Sequence, residues 1–69
     1  MTEIFLKLIK EGLTPNAYYV LHCIKHNMVP NKYVNKQLET KKLLNDQWIT
    51  EDLRITSKSI IFMEEIEGY

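Results

Sequence analysis

Apolar residues recur at helical spacing in four stretches of the chain, which predicts four helices. The first stretch covers residues 3–11. Its apolar face is formed by Ile4, Phe5, Leu8 and Ile9. Gly12 follows, and it suits the left-handed backbone conformation found just past a helix end.

The second predicted helix runs from Pro15 to about His26. Thr14 can cap its free backbone N–H groups, and a proline at the first helical position sacrifices no hydrogen bond. Its buried stripe is predicted to be Ala17, Val20, Leu21 and Ile24. Its other side carries Tyr18, Tyr19, His22 and His26.

The third predicted helix starts at Pro30 or Asn31 and extends to Asn45 or Asp46. Its broad apolar face is predicted to hold Tyr33, Val34, Leu38 and Leu44, with Leu43 on the flank. Lys32, Lys36 and Lys42 lie mostly on the opposite side.

Two short segments rich in β-forming residues, 48–50 and 53–55, predict a pair of strands. Two intervening residues, Glu51 and Asp52, suit a hairpin turn. Trp48 is expected to anchor the core beneath this hairpin. Thr56 then caps a last helix through Ile66. Its buried face is predicted to be Ser59, Phe62, Met63 and Ile66.

This order of elements resembles the winged-helix domains of MarR-like and related phage or bacterial regulators. The matching segments are Leu13-Thr14 before a helix, Leu43 to Ile49 after the third helix, and Ile55-Thr56-Ser57-Lys58-Ser59 before the last. The resemblance implies an α+β, mainly α, winged-helix domain over residues 1–69. It would have three helices, a two-stranded β-hairpin wing and a C-terminal helix. Gln47 stands where the family has glycine, and the helix-turn-helix is shortened.

The size and composition of the chain limit the classes of protein to which it can belong. Sixty-nine residues suffice for one domain, and nine basic residues balance nine acidic ones. The single cysteine, Cys23, cannot form an internal disulfide, which suits a reducing, cytoplasmic compartment. The sequence has no apolar run of membrane-spanning length and no visible signal peptide, so we expect no membrane association.

The sequence offers few candidates for catalytic or metal-binding residues. His22 and His26 stand four apart on one helix face, a spacing that suits a shared metal ion. Because no carboxylate lies nearby in sequence, we expect two solvated surface histidines. Metal binding by the pair is a minor alternative. Cys23 is expected to be structural, and Glu64, Glu65 and Glu67 to form a solvated acidic end. We therefore expect no enzyme activity, no cofactor and no small-molecule substrate.

The leading functional hypothesis is duplex DNA binding by a transcription-regulator type of module. The residues expected to contact phosphates or bases are Lys32, Asn35, Lys36 and Lys42 on the third helix, with Arg54 on the wing. The acidic Glu51-Asp52 turn and the neutral net charge favour an alternative. That alternative is a protein-interaction module, acting as a homodimer or assembly component. Its contact face would comprise Leu6, Tyr18, Tyr19 and Ile61.

Overall fold

In the computed structural model, which describes residues 2–67, the chain forms four α-helices. They are α1 (Thr2–Lys10), α2 (Pro15–Lys25), α3 (Lys36–Asn45) and α4 (Ser57–Glu67). Their number and order are as the sequence pattern predicts. Gly12 has a φ of 77°, which confirms the predicted left-handed turn after the first helix. No helix among the described residues is long and apolar enough to cross a membrane.

Side chains cap the first turns of α2, α3 and α4. Thr14 Oγ1 accepts a hydrogen bond from Ala17 N at 3.1 Å, as the sequence predicts. Asn35 Oδ1 accepts one from Leu38 N at 3.1 Å. Thr56 Oγ1 is 3.4 Å from the backbone N–H of Ser59, which confirms the predicted start of the last helix. Caps of this kind contribute about 1 kcal/mol each and fix where a helix begins.

The predicted β-hairpin wing is not present, so the α+β winged-helix prediction is wrong. Residues 2–67 contain no strand, and the fold is all-helical. The loop between α3 and α4 reverses direction with a single antiparallel bridge between Ile49 and Ile55. Thr50 N donates to Arg54 O at 2.8 Å, and Leu53 N donates to Thr50 O at 3.0 Å. Leu53 has a φ of 61°, which ends the extended conformation where the second strand was expected to begin.

The third helix starts at Lys36, later than the predicted Pro30 or Asn31. Asn31 Oδ1 accepts a hydrogen bond from Tyr33 N at 2.9 Å, while Asn31 N donates to the Tyr19 hydroxyl at 3.0 Å. These side-chain contacts hold residues 31–33 in a turn, because asparagine satisfies the nearby backbone without a helix. Lys32 therefore lies in the connection between α2 and α3.

Residues from all four helices and from the loops after α1 and α3 form the core. Its buried members are Leu8, Leu13, Ala17, Val20, Leu21, Leu43, Trp48, Ile49, Phe62 and Met63. This agrees with the predicted stripes of the second and last helices and with Trp48 as a core anchor. Ile66, the last residue of the predicted α4 face, is partly buried against it.

The buried face of α3 differs from the prediction. Leu43 is completely buried and Glu39 is 6% exposed, whereas Leu38 and Leu44 are 47% and 38% exposed. The predicted stripe also included Tyr33, which the late helix start leaves in the preceding connection. The stripe therefore combined residues from two segments of different orientation, and helical periodicity does not hold across such a boundary.

The side chain of Lys58, near the start of α4, contacts residues 46–48 just after α3. Gln47 takes the left-handed turn at a φ of 63°, the position where the sequence lacks a glycine. The side chain of Lys58 donates to Asp46 O at 2.9 Å, and its Nζ lies 4.0 Å from the centre of the Trp48 ring. The Trp48 ring in turn packs against Phe62, with a centroid separation of 5.1 Å.

Candidate functional site

The five residues predicted to contact nucleic acid come from three segments: the connection before α3, α3 itself and the loop after it. Lys32 precedes α3, and Asn35 uses its side chain to cap that helix. Lys36 and Lys42 line two different hollows, Lys42 beside Gly12 and Leu13 after α1, and Lys36 beside Leu53. In the loop after α3, Arg54 Nε lies 3.4 Å from Asp52 Oδ2, so its charge is partly neutralised.

The exposed ionisable side chains of α3 are nevertheless all cationic. Lys36, Lys41 and Lys42 are exposed, while Glu39 is the only acidic residue of the helix. Glu39 is buried, and its Oε1 lies 4.0 Å from Lys42 Nζ. Consequently α3 presents positive charge outward although the chain as a whole is neutral.

A shallow surface depression runs beside these lysines, and we call it the α3 groove. One part, of about 470 Å³, is lined by Lys36, Gln37, Thr40, Lys41, Leu44 and Leu53. The adjoining part, of about 180 Å³, is lined by Cys23, Ile24, Asn27, Met28, Pro30, Lys36, Thr40 and Leu53. The two parts share Lys36, Thr40 and Leu53, so they adjoin one another.

Leu53 stands between the two parts of the α3 groove. It is a leucine in the left-handed region, with a φ of 61°, and its side chain is 49% exposed. Left-handed backbone is costly for a residue with a branched side chain, by about 1–3 kcal/mol. Strained residues of this kind cluster at functional sites, which makes the groove the leading candidate site.

The predicted protein-interface residues fall into two groups. Leu6 on α1 and Ile61 on α4 are largely exposed. Tyr18 and Tyr19 are half-buried and engaged within the chain. The Tyr18 ring meets Phe62 edge-on with its centroid 6.3 Å away, and the Tyr19 hydroxyl accepts from Asn31 N.

A second cluster joins α2 to the end of α4, and one of its members, Glu67, is not predicted from the sequence to meet the histidines. His22 Nδ1 lies 3.5 Å from Glu67 Oε2, and the His22 and His26 ring centroids are 4.4 Å apart. The Tyr18 hydroxyl donates to Glu67 Oε2 at 2.9 Å. Glu67 is distant from the histidines in sequence, so no local motif could reveal it. Glu64 and Glu65 are exposed, as expected.

The cluster shifts two pKa values in opposite directions. Burial raises the pKa of the Tyr18 hydroxyl, and its hydrogen bond to Glu67 and the Glu67 charge raise it further. For Glu67, burial acts to raise the pKa, but the Tyr18 hydrogen bond, the Lys25 charge and the contact with His22 together lower it. Glu67 is therefore held as a carboxylate, and Tyr18 as its hydrogen-bond donor.

Comparison with known proteins found no matching family model, no similar curated protein and no similar solved structure.

Proposed function

We propose that this chain is a non-enzymatic protein-interaction module whose α3 groove binds an acidic, amphipathic segment of a partner protein. The observation that carries the proposal is Leu53, which is strained, half-exposed and common to both parts of the groove. An apolar side chain in this position contributes little to the core. If a partner covered Leu53, burial of its apolar side chain would contribute favourable hydrophobic free energy to binding.

The charge around the groove supports an acidic occupant. Lys36 and Lys41 line it, and the acidic residue of α3, Glu39, is turned into the protein. Leu44 and Leu53 line the same part of the groove and supply apolar contact. An amphipathic helix with leucines on one face and carboxylates beside them matches this combination, because grooves of this type bind helices through apolar anchors spaced along one face.

Duplex DNA is the second candidate, and the outward positive charge of α3 favours it. The same helix, however, exposes Leu38 and Leu44 among its lysines. Phosphate-contacting surfaces are strongly polar and cationic, whereas this one is mixed. The five predicted DNA contacts are also dispersed, and Asn35 is occupied as a cap. These features favour a protein partner over DNA.

The test is an NMR titration with a synthetic acidic amphipathic peptide, compared with a lysine-containing peptide of the same apolar pattern. We expect only the acidic peptide to shift the amide signals of α3 and of Leu53. Leu53→Asn should weaken binding about tenfold or more. Asparagine tolerates left-handed backbone, so this change removes the apolar side chain without adding strain. Leu6→Asn, an exposed leucine on α1, is the matched control and should bind normally.

Three results would contradict the proposal. One is no shift with either peptide, and a second is equal binding by the Leu53→Asn variant. The third is binding of random duplex DNA at low salt that is lost in a Lys32→Glu/Lys36→Glu double variant, which would assign α3 to nucleic acid. A sedimentation series on the free chain tests for self-association, and a dimer disrupted by Leu53→Asn would assign the groove to a second copy.

A further inference from the structure

We propose that His22, His26 and Glu67 form a binding site for a divalent transition metal ion such as Zn²⁺. One potential ligand atom from each of the three side chains lies within 4.8 Å of the other two. Two imidazoles and a carboxylate are a donor set that zinc uses in proteins, usually with water in a fourth position. This inference does not rest on the α3 groove, which lies on other residues.

The separations suit a metal ion of this size. Ligands at roughly 2.0–2.2 Å from a tetrahedral zinc lie roughly 3.4 Å from one another. The contact between His22 Nδ1 and Glu67 Oε2, at 3.5 Å, already has this spacing. His26 is exposed, so rotation of its side chain can close the remaining separations. His22 lies in the last turn of α2 and His26 is the residue that caps its end, with its backbone N–H donating to His22 O, so the helix end holds the two rings side by side.

The surroundings of Glu67 also match a metal site. The Tyr18 hydroxyl donates to Glu67 Oε2 at 2.9 Å, which fixes the orientation of the carboxylate. Hydrogen bonds of this kind to a ligand's carboxylate are typical of metal sites, and a carboxylate has enough lone pairs to accept one and still bind an ion. Tyr18 is in turn packed edge-on against Phe62, so the donor is itself held in place. Tyr18 is therefore a positioning residue and not a ligand.

Calorimetric titration of Zn²⁺ into the full chain, without a polyhistidine tag, tests the site. We expect one ion per chain. His26→Gln and Glu67→Gln should each weaken binding at least about tenfold, and Tyr18→Phe roughly 10–100-fold. Glu64→Gln is the matched control, because Glu64 is an exposed carboxylate on the same helix, and it should bind like the wild type. Co²⁺ should give an intense visible spectrum typical of tetrahedral coordination.

A second measurement distinguishes a three-ligand metal site from metal binding by the two histidines alone. Because the ion would join α2 to the end of α4, Zn²⁺ should raise the thermal unfolding midpoint of the wild type, and a chelator should reverse the rise. Glu67→Gln should abolish the rise while circular dichroism remains that of the folded chain. Absence of Zn²⁺ binding by the wild type would overturn the proposal. Equal affinity and equal stabilisation in Glu67→Gln would also overturn it, since the histidines alone would then account for binding.

Discussion

The hydroxyl of Ser59 donates a hydrogen bond to the backbone carbonyl of Trp48, and both residues are buried. We expect Ser59→Ala to lower the free energy of unfolding by about 1 kcal/mol, because Thr56 N still donates to the same carbonyl at 3.2 Å. Urea denaturation measures the change. Ser57→Ala, at an exposed position two residues earlier, is the control, and a cost there equal to that at Ser59 would contradict the assigned role.

Adjacent leucines on α3 should differ sharply in their contribution to stability. Leu43→Ala removes a completely buried side chain from the core and should cost about 2–5 kcal/mol. Leu44→Ala, on the exposed side, should cost about 1 kcal/mol or less. Chemical denaturation of the two variants compares them directly. The observed orientation of α3 is wrong if the order of the two costs is reversed.

Two turns with positive φ give opposite predictions. Gly12→Ala should destabilise the chain by about 1–2 kcal/mol, although no atom lies within 4 Å of the added Cβ, because the backbone φ is 77°. Gln47→Gly should stabilise it by up to about 1 kcal/mol, because glycine relieves the left-handed strain at a φ of 63° and loses part of that gain to chain entropy. Thermal unfolding reports both changes, and shifts of the same sign would be inconsistent with this account.

The loop after α3 should show a pH-dependent contribution from Asp52. The side-chain hydrogen bond from Thr50 is the main cause of a lowered pKa at this carboxyl, aided by its backbone hydrogen bond and the Arg54 charge. A lowered pKa stabilises the fold above the ordinary carboxyl pKa, and the contribution is lost as the pH falls through the lowered value. In Thr50→Val the pKa should return towards its ordinary value.

Carboxyl-carbon NMR shifts across an acid titration measure this pKa. Arg54→Gln is the comparison, and it should move the Asp52 pKa less than Thr50→Val does, because the Arg54 charge is the weaker cause. A larger shift in Arg54→Gln would mean that the ion pair, and not the hydroxyl, holds the carboxylate.

Local signals in the sequence were sufficient to predict four helices but not every buried face or the path between them. Phe5 and Ile9, predicted on the apolar face of the first helix, are 48% and 71% exposed. Thr14 with Pro15 and Thr56 marked helix starts correctly, because a cap acts on its own neighbours. The late start of α3 escaped prediction because the turn at Asn31 depends on the hydroxyl of Tyr19, which lies 12 residues earlier on α2. The hairpin prediction was wrong because Leu53 takes a left-handed φ of 61°, which nothing in the local sequence indicates.

The candidate sites show the same limit. The helical spacing of His22 and His26 was visible in the sequence, but Glu67 joins them only through the packing of α4 against α2. The α3 groove was not predicted either, because the sequence pattern places Leu44, one of its lining residues, on the buried face together with Leu38. Once Leu43 takes that place, the same residues become surface. A one-position error in the phase of a short helix thus exchanges core residues for surface residues.

The thiol of Cys23 has no exposed surface, so its chemical reactivity can report local opening of the fold. A thiol reagent can attack it only in molecules in which a local opening has exposed the sulfur. Under native conditions the labelling rate therefore counts transient openings. Cys23 also lines part of the α3 groove, so a ligand bound there should slow the labelling. The labelling rate would then report both local opening of the fold and ligand binding.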